Sequence, residues 1–185
     1  MYKGLDEQSL ARLCSENNRL AQEELYTRYA ARLFTLCLRY THNRDEALDL
    51  LHDSFLVALE KIHAFTYRGN GSLYAWISRI AINTALSNIS RHKIRFVSFA
   101  PTQSGPIDEP ADEEIARVPQ AKLLEFISGL PDTQRAIFNL FCMDGYSHKE
   151  IAGMLGISER GSTSMLVKAK NRLRIQINEY IKKLE

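Results

Sequence analysis

Apolar residues recur at three- and four-residue spacing through most of the chain, and strand-like alternation of apolar and polar residues is scarce. This spacing is the period of an amphipathic α-helix. The pattern therefore predicts an all-α protein. We expect eight helices, over residues 6–15, 19–40, 44–63, 72–91, 121–128, 131–143, 147–155 and 158–183.

The helical period fails between residues 95 and 119. Four of the five prolines interrupt this stretch, together with an acidic cluster at residues 108–114. A stretch of this length is long for a loop inside one domain. We therefore expect two small helical domains, at residues 1–94 and 120–185, joined by a flexible, acidic, proline-containing linker at 95–119.

The composition is that of an ordinary globular protein, with 185 residues, 45% hydrophobic and 25% charged. No apolar run approaches the roughly 18 residues of a membrane helix, and the first residues lack the apolar core of a secretion signal. We expect a cytoplasmic protein with no direct membrane insertion. The chain has three widely spaced cysteines, Cys14, Cys37 and Cys142, and no C-x-x-C motif. This spacing predicts buried free thiols and no metal site.

Residues 147–166 have the spacing of a helix-turn-helix. Ser147 can cap the first helix, and Glu150 three residues later completes a capping box. Gly156 supplies the backbone freedom that the turn requires, and Ser158 can cap the second helix. The sequence therefore predicts two short helices joined by a tight turn.

The second of these helices carries a basic face. From Arg160 to Arg174 there are five cations and no acid, and the outward residues include Arg160, Thr163, Ser164 and Lys168. In DNA-binding proteins, a helix face of this kind neutralises the DNA phosphates, while a few of its side chains contact the bases. The competing interpretation, a solvated basic helix in an ordinary bundle, is disfavoured by the turn spacing and the capping box.

An acidic stripe is predicted on the helix that begins near residue 44. Glu46, Asp49, Asp53 and Glu60 share one side of this helix, and no Lys or Arg lies between them. Asp49 and Asp53 form a like-charge pair that opposes helix formation. The stripe is either a solvated face or a docking surface for a basic partner. A metal site with His52 is disfavoured because no clear third-ligand motif is present, and no cofactor is expected.

Residues 63–76 combine four aromatic side chains with Arg68 and the loop Gly69-Asn70-Gly71. This composition is typical of proteins that bind single-stranded or flipped bases, because aromatic rings stack on bases. On the following helix, Arg79 and Asn83 lie one turn apart and suit contacts to bases or phosphates. For Phe65 and Trp76, packing in the core is the favoured interpretation.

Five motifs together resemble one family. They are Leu25-Tyr26-x-x-Tyr29, Asp45-Glu46-Ala47-x-Asp49-x-x-x-Asp53-x-Phe55, Ala75-Trp76-Ile77-x-Arg79-Ile80-Ala81-x-Asn83, Leu130-Pro131-x-x-Gln134-Arg135 and Gly145-Tyr146-Ser147-x-x-Glu150-Ile151-Ala152. In this order and spacing the chain is similar to the extracytoplasmic-function type of the sigma-70 family. These are small transcription initiation factors that keep only sigma domains 2 and 4.

The resemblance implies two partners, core RNA polymerase and promoter DNA, and allows an anti-sigma factor as a third. The residues that it implies for polymerase binding are Glu46, Asp49 and Asp53. The −10 element would be melted and read by Phe65, Tyr67, Arg68, Asn70, Ser72, Arg79 and Asn83. The −35 element would be read by Ser158, Arg160, Thr163, Ser164, Lys168, Lys170 and Arg172.

The recognition helix departs from the family's frequent pattern, which is Gly-Thr-Val-Lys-Ser-Arg. This chain has Arg160-Gly161-Ser162-Thr163-Ser164-Met165 instead. A glycine within a helix costs about 1 kcal/mol of helix propensity relative to alanine.

Two other classes of function are weaker fits to the sequence. A helix-turn-helix regulator that binds a palindrome as a dimer, without polymerase, would leave the N-terminal half unexplained. An enzyme is not expected, since no nucleophile–base pair, phosphate-binding loop or metal triad is evident.

Overall fold

The computed structural model describes residues 4–92, 115 and 118–184. Within those residues every regular element is helical, so the all-α prediction is confirmed. The chain forms two compact units that meet in sequence between Ser87 and Asn88, near the end of the fourth helix. Most of the predicted linker, residues 95–114 and 116–117, lies outside the described residues.

The described residues of the first unit form four α-helices and one short 3₁₀ turn, and the last of these helices runs past Ser87. The elements are α1 (Glu7–Ser15), α2 (Arg19–Tyr40), α3 (Arg44–Lys61), the 3₁₀ turn (Ile62–Ala64) and α4 (Ser72–His92). The first three helices each begin after a polar residue whose side chain accepts a hydrogen bond from the N–H three residues later. These capping residues are Asp6, Asn18 and Asn43.

Helix α2 is the centre of the first unit, because it packs against both α1 and α3. Helix α1 also contacts the 3₁₀ turn. The core contains Cys14 and Cys37 as free thiols, as expected. Burial raises the pKa of Cys14 to about 11 and the pKa of Cys37 to about 12, so both side chains are neutral at physiological pH.

The described residues of the second unit include several α-helices and a π-helical segment. The elements are α5 (Gln120–Ser128), α6 (Asp132–Phe138), the π-helical segment (Asn139–Met143), α7 (His148–Leu155) and α8 (Glu159–Ile181). The long helix α8 contacts α5, α6 and α7. A cluster of apolar side chains joins α8 to α5 and α6, and it comprises Leu130, Ala169, Leu173, Phe126, Ile127 and Phe138.

Arg135 is the largest side chain in the interior, with only 2% of its surface exposed. Its guanidinium donates hydrogen bonds to the carbonyl oxygens of Ser128 (3.0 Å) and Leu130 (3.1 Å) and to the carboxylate of Asp132 (2.9 Å). These bonds from the two terminal nitrogens offset much of the cost of burying a charged guanidinium. The Leu130–Arg135 motif therefore closes the turn between α5 and α6.

The prediction that all three cysteines are buried is wrong for Cys142, which is exposed. Cys142 lies in the π-helical segment, two residues after the fully buried Leu140. Two residues along a helix lead to nearly the opposite side. Phe141 and Met143, on either side of Cys142 in sequence, are also exposed to solvent.

The helix-turn-helix contains the local features that the sequence predicts. Ser147 and Glu150 form a reciprocal capping box at the start of α7. Gly156 ends α7 in the left-handed conformation, with φ of 65°, a conformation that glycine adopts without steric cost. At the start of α8 the hydroxyl of Ser158 accepts a hydrogen bond from the N–H of Gly161 at 3.0 Å.

Candidate nucleic-acid and protein interfaces

The acidic stripe on α3 faces solvent. Asp49, Asp53 and Glu60 are exposed, whereas Ala47 and Leu50 on the other side of the helix are buried. Among the residues that the structure describes, none forms an ion pair or a hydrogen bond with the carboxylates of Asp49 and Asp53. The like-charge pair therefore keeps its mutual repulsion in the isolated protein.

Glu46 differs from these two acids, because its carboxylate has partners near the start of α3. It accepts hydrogen bonds from the backbone N–H of His42 (3.1 Å) and from the side-chain amide of Asn43 (2.9 Å). The side chain of Asn43 in turn accepts from the N–H of Glu46. Glu46 thus stabilises the helix N-terminus while it remains exposed on the acidic stripe with Asp49 and Asp53.

Sequence reasoning missed an apolar surface that continues the acidic stripe. Leu56 lies three residues after Asp53 and is 61% exposed. Tyr26 of α2 is 39% exposed, and its ring packs against Phe55 (4.8 Å between centroids) and His52 (6.4 Å). The exposed leucine on an otherwise polar side of α3 was the available sequence signal.

His52 lies between Asp49 and Asp53 in the sequence of α3. Within the described parts of the chain, no group of three His, Cys, Asp or Glu side chains is arranged to hold a metal ion. The ring of His52 is stacked on Tyr26, with its Nε2 atom 3.5 Å from the tyrosine oxygen.

The loop between the 3₁₀ turn and α4 is closed by its own hydrogen bonds. The N–H of Arg68 donates to the hydroxyl of Ser72, and the hydroxyl of Tyr67 donates to the side-chain carbonyl of Asn70, each at 3.2 Å. Gly69 and Gly71 have φ values of 115° and 87°, which disfavour other residues. Arg68 and Asn70 are left exposed on this ordered loop.

Phe65 and Trp76 lie at the edge of the loop rather than in the core. Both are partly exposed, and their rings meet edge to face with centroids 5.6 Å apart. The favoured interpretation of core packing is therefore wrong. The buried side of α4 includes Leu73 and Ile77, and Trp76 lies beside that side and is partly exposed.

Arg79 and Asn83 are both exposed, one turn apart on α4. Ala81 lies between them in sequence and is buried on the opposite side. The loop and this face of α4 together present aromatic, cationic and amide groups on one continuous segment, from Phe65 to Asn83. These are the groups that stack on bases and contact phosphates.

The recognition helix α8 presents its basic side to solvent. Five of the predicted −35 residues are exposed, and two are partly exposed. The exposed residues are Ser158, Arg160, Thr163, Lys170 and Arg172, and the partly exposed residues are Ser164 and Lys168. Gly161 and Ser162 are buried, so the unusual glycine belongs to the inner side of the helix and not to its outer face.

A contact between the two helices of the helix-turn-helix was not predicted. The Nδ1 atom of His148 is hydrogen-bonded to the hydroxyl of Ser162, at 2.8 Å. The His148 ring also stacks on Phe141, with centroids 4.5 Å apart and an interplanar angle of 20°. His148 therefore fixes the first turn of α8 relative to α7. No sequence signal marked it, since the partner is 14 residues away.

No helix in the described ranges is both long enough and apolar enough to cross a membrane.

Two family models match the chain, one in each unit. The model described as Sigma-70 region 2 matches residues 25–94. The model described as Sigma-70, region 4 matches residues 120–173. The first range contains the acidic stripe and the loop, and the second contains the helix-turn-helix.

Curated relatives extend over nearly the whole chain. The ECF RNA polymerase sigma factor SigM of Bacillus subtilis is 26% identical over 158 residues, which cover 84% of this chain and 94% of that protein. The SigM protein of Mycobacterium tuberculosis is 29% identical over 175 residues, covering 93% and 86%. The ECF RNA polymerase sigma-E factor of Haemophilus influenzae is 23% identical and covers 96% and 98%.

Solved structures of the same fold include the sigma factor RpoE in complex with the anti-sigma factor NepR, from Bartonella quintana. That chain is 20% identical, with a TM-score of 0.52 and coverage of 84% of this chain and 96% of that chain. CnrH in complex with the cytosolic domain of CnrY is 21% identical, with a TM-score of 0.50 and coverage of 94% and 97%.

Proposed function

The chain belongs to the sigma-70 family, in its extracytoplasmic-function group, and we propose which of its surfaces perform each step of transcription initiation. Helix α3 docks on core RNA polymerase. The loop before α4, with Arg79 and Asn83, opens and reads the −10 element, and α8 reads the −35 element. The observation that carries this proposal is the opposite chemistry of two exposed surfaces in the first unit, the unpaired carboxylates of α3 and the aromatic and cationic loop.

Asp49 and Asp53 supply the charge for polymerase docking, and Leu56 supplies apolar contact area beside them. An exposed pair of like charges is relieved when a partner brings cations to it. An exposed leucine next to such a pair forms the dry centre of an interface. Glu46 contributes indirectly, because its carboxylate holds the N-terminus of the docking helix.

Reversal of both charges, Asp49→Lys with Asp53→Lys, tests this docking surface. Like charges brought together across an interface cost several kcal/mol, so we expect at least about tenfold weaker binding to core polymerase. Glu23→Lys, at an exposed position of α2, is the matched control and is expected to bind normally. Unchanged affinity of the double variant would remove α3 from the interface.

The loop from Tyr67 to Ser72 offsets the cost of opening DNA. Unstacking a base costs a few kcal/mol, which must be recovered from contacts that only the opened strand can make. Phe65 and Trp76 offer partly exposed rings for stacking, and Asn70 offers an exposed amide. Arg79 and Asn83 hold the adjoining duplex edge.

The double variant Asn70→Ala with Asn83→Ala tests this step. We expect normal polymerase binding and fewer open complexes on duplex promoters, measured by permanganate reactivity of unpaired thymines. A template with a pre-melted −10 region should restore part of the loss, because the cost of opening has already been met. Normal opening by the double variant would show that the loop is not the melting device.

The remaining proposals follow from the same assignment. Residues 95–119 link a polymerase-binding domain, residues 1–94, to a −35-reading domain, residues 120–185. The protein acts by binding in the cytoplasm and is not an enzyme. An anti-sigma factor is a candidate inhibitor, supported by the two solved complexes of similar fold. A helix-turn-helix regulator that works without polymerase would fail to bind core polymerase in the titration above.

A further inference from the structure

The start of helix α4 has no side-chain cap from its own segment. The carbonyl of Gly71 accepts the first helical hydrogen bond, from the N–H of Ala75 at 3.0 Å, which places Gly71 at the capping position. Glycine has no side-chain acceptor. The hydroxyl of Ser72 is engaged with the N–H of Arg68 in the loop. The first turn of α4 therefore needs an acceptor from elsewhere in the fold.

Glu7 of α1 supplies this acceptor from a position 66 residues away in sequence. The N–H of Leu73 donates to its carboxylate at 3.0 Å. The second carboxylate oxygen accepts a hydrogen bond from the hydroxyl of Tyr29 in α2, at 2.9 Å. Burial, and then the hydrogen bond to Glu7, raises the pKa of Tyr29 to about 12, so its hydroxyl remains a donor at physiological pH.

Helix α1 also holds the other end of the loop. The loop begins after the 3₁₀ turn (Ile62–Ala64), which packs against α1. It ends at Ser72, where Glu7 caps the following residue. Tyr29 adds a second contact to α4 through its ring, which packs against the ring of Tyr74 with centroids 6.0 Å apart. Both ends of the loop are thus tied to the same helix.

We propose that Glu7 is a positioning residue for promoter opening, because its carboxylate caps α4 and so holds the loop from Tyr67 to Ser72 in the shape that receives the opened strand. This inference rests on the proposed function of that loop. A preformed loop binds the opened strand without first being ordered. A carboxylate also suits the positive end of the α4 dipole. Glu7 itself touches no DNA in this proposal.

The test compares Glu7→Ala, Glu7→Gln and the control Glu23→Ala in the full chain with core polymerase. Loss of a helix cap should lower the fraction of open complexes on duplex promoters by about fivefold for Glu7→Ala, with polymerase binding unchanged. Glutamine can accept from Leu73 and donate to the oxygen of Tyr29, so Glu7→Gln should recover most of the opening. Glu23→Ala should open promoters normally. A pre-melted template should restore part of the activity of Glu7→Ala.

One outcome is that Glu7→Ala opens promoters normally while the double variant Asn70→Ala with Asn83→Ala is defective. This outcome would overturn the inference about Glu7 but would leave the proposed function of the loop intact. Normal opening by both variants would instead overturn the function of the loop. Equal losses for Glu7→Gln and Glu7→Ala would show that the cap is not what matters. If circular dichroism shows that Glu7→Ala does not fold, Glu7→Asp replaces it. Aspartate is one methylene shorter and cannot reach both donors, so normal opening by Glu7→Asp would also overturn the inference.

Discussion

The two units hold the helices that we propose to read DNA, α4 and α8, in different ways. In the second unit, α8 is capped by Ser158, the residue immediately before it, and is joined to α7 by the hydrogen bond between His148 and Ser162. In the first unit, α4 is capped by Glu7, which lies in another helix and 66 residues away. The cap of α8 therefore comes from the adjacent residue in sequence, whereas the cap of α4 comes from a distant helix.

This difference matches the work that each helix is proposed to do. A duplex reader enters a groove as a rigid element, and local caps are sufficient to hold its first turn. The loop that is proposed to open DNA contains glycines and must be held in one conformation. Gly71, at the capping position of α4, has no side chain that could cap the helix. The first unit therefore depends on a tertiary contact, the cap from Glu7, to hold the start of α4 and the loop before it.

The largest expected difference between the units concerns thiol reactivity. Cys14 and Cys37 are buried in the first unit, whereas Cys142 of the second unit is exposed. Buried thiols react only when the structure opens, so we expect Cys142 to react at least about a hundredfold faster. A chromogenic disulfide should release one rapid equivalent from the native protein and three in urea. Cys142→Ser should abolish the rapid phase, and its persistence would contradict the structure.

The next largest effect is expected from Arg135→Ala in the second unit. Loss of the guanidinium leaves two buried carbonyl groups without their donor and creates a cavity, which should lower the free energy of unfolding by about 3 kcal/mol. Urea unfolding followed by circular dichroism measures this loss. Trp76, the single tryptophan of the chain, lies in the first unit, so its fluorescence transition should not move.

Arg172→Ala is the control for Arg135→Ala. Arg172 is exposed on α8, and its removal should change the free energy of unfolding by less than about 0.5 kcal/mol. A shift of the Trp76 transition in Arg135→Ala as large as the shift in circular dichroism would mean that the two units unfold together.

A smaller effect is expected when the local cap of α8 is removed by Ser158→Ala. The loss of this cap should cost about 1 kcal/mol and weaken binding to a −35 duplex by up to about fivefold. Ser158→Thr keeps a hydroxyl acceptor and should bind nearly normally. Promoter opening on a pre-melted template should be unchanged, since the first unit does not use this cap. Reduced opening by Ser158→Ala on that template would contradict the expectation that the two helices are held independently.

The smallest effects separate phosphate contacts from base contacts on α8. Lys168→Ala and Arg172→Ala should weaken duplex binding equally on all sequences, and each should reduce the slope of log affinity against log salt by about 0.9. Arg160→Ala or Thr163→Ala should instead change the preference at one or two base pairs. Equal losses on every sequence from both sets would place no base readout on this face.

Features whose partners lie within a few residues were predictable. The capping box of Ser147 and Glu150, the left-handed Gly156 and the cap of Ser158 all depend on spacings of two to four residues, so the sequence alone was sufficient. The exposed Asp49 and Asp53 followed from helical periodicity for the same reason. The positions of Cys142, Phe65 and Trp76 were misjudged for different reasons. Cys142 lies nearly opposite the buried Leu140 in the π-helical segment, Phe65 follows the 3₁₀ turn in extended conformation, and Trp76 lies beside the buried side of α4.

The sequence by itself determined the helical class of the protein, the positions of nearly all helix ends and the chemistry of its two exposed surfaces. Only the tertiary structure decided which carboxylates accept hydrogen bonds. Glu46 and Glu7 have such partners, whereas Asp49 and Asp53 have none among the described residues. It also decided that α1 holds both ends of the loop from Tyr67 to Ser72. The physical reason is that caps and periodicity are local, whereas a hydrogen bond between Glu7 and Leu73 forms only after α1, α2 and α4 have packed together.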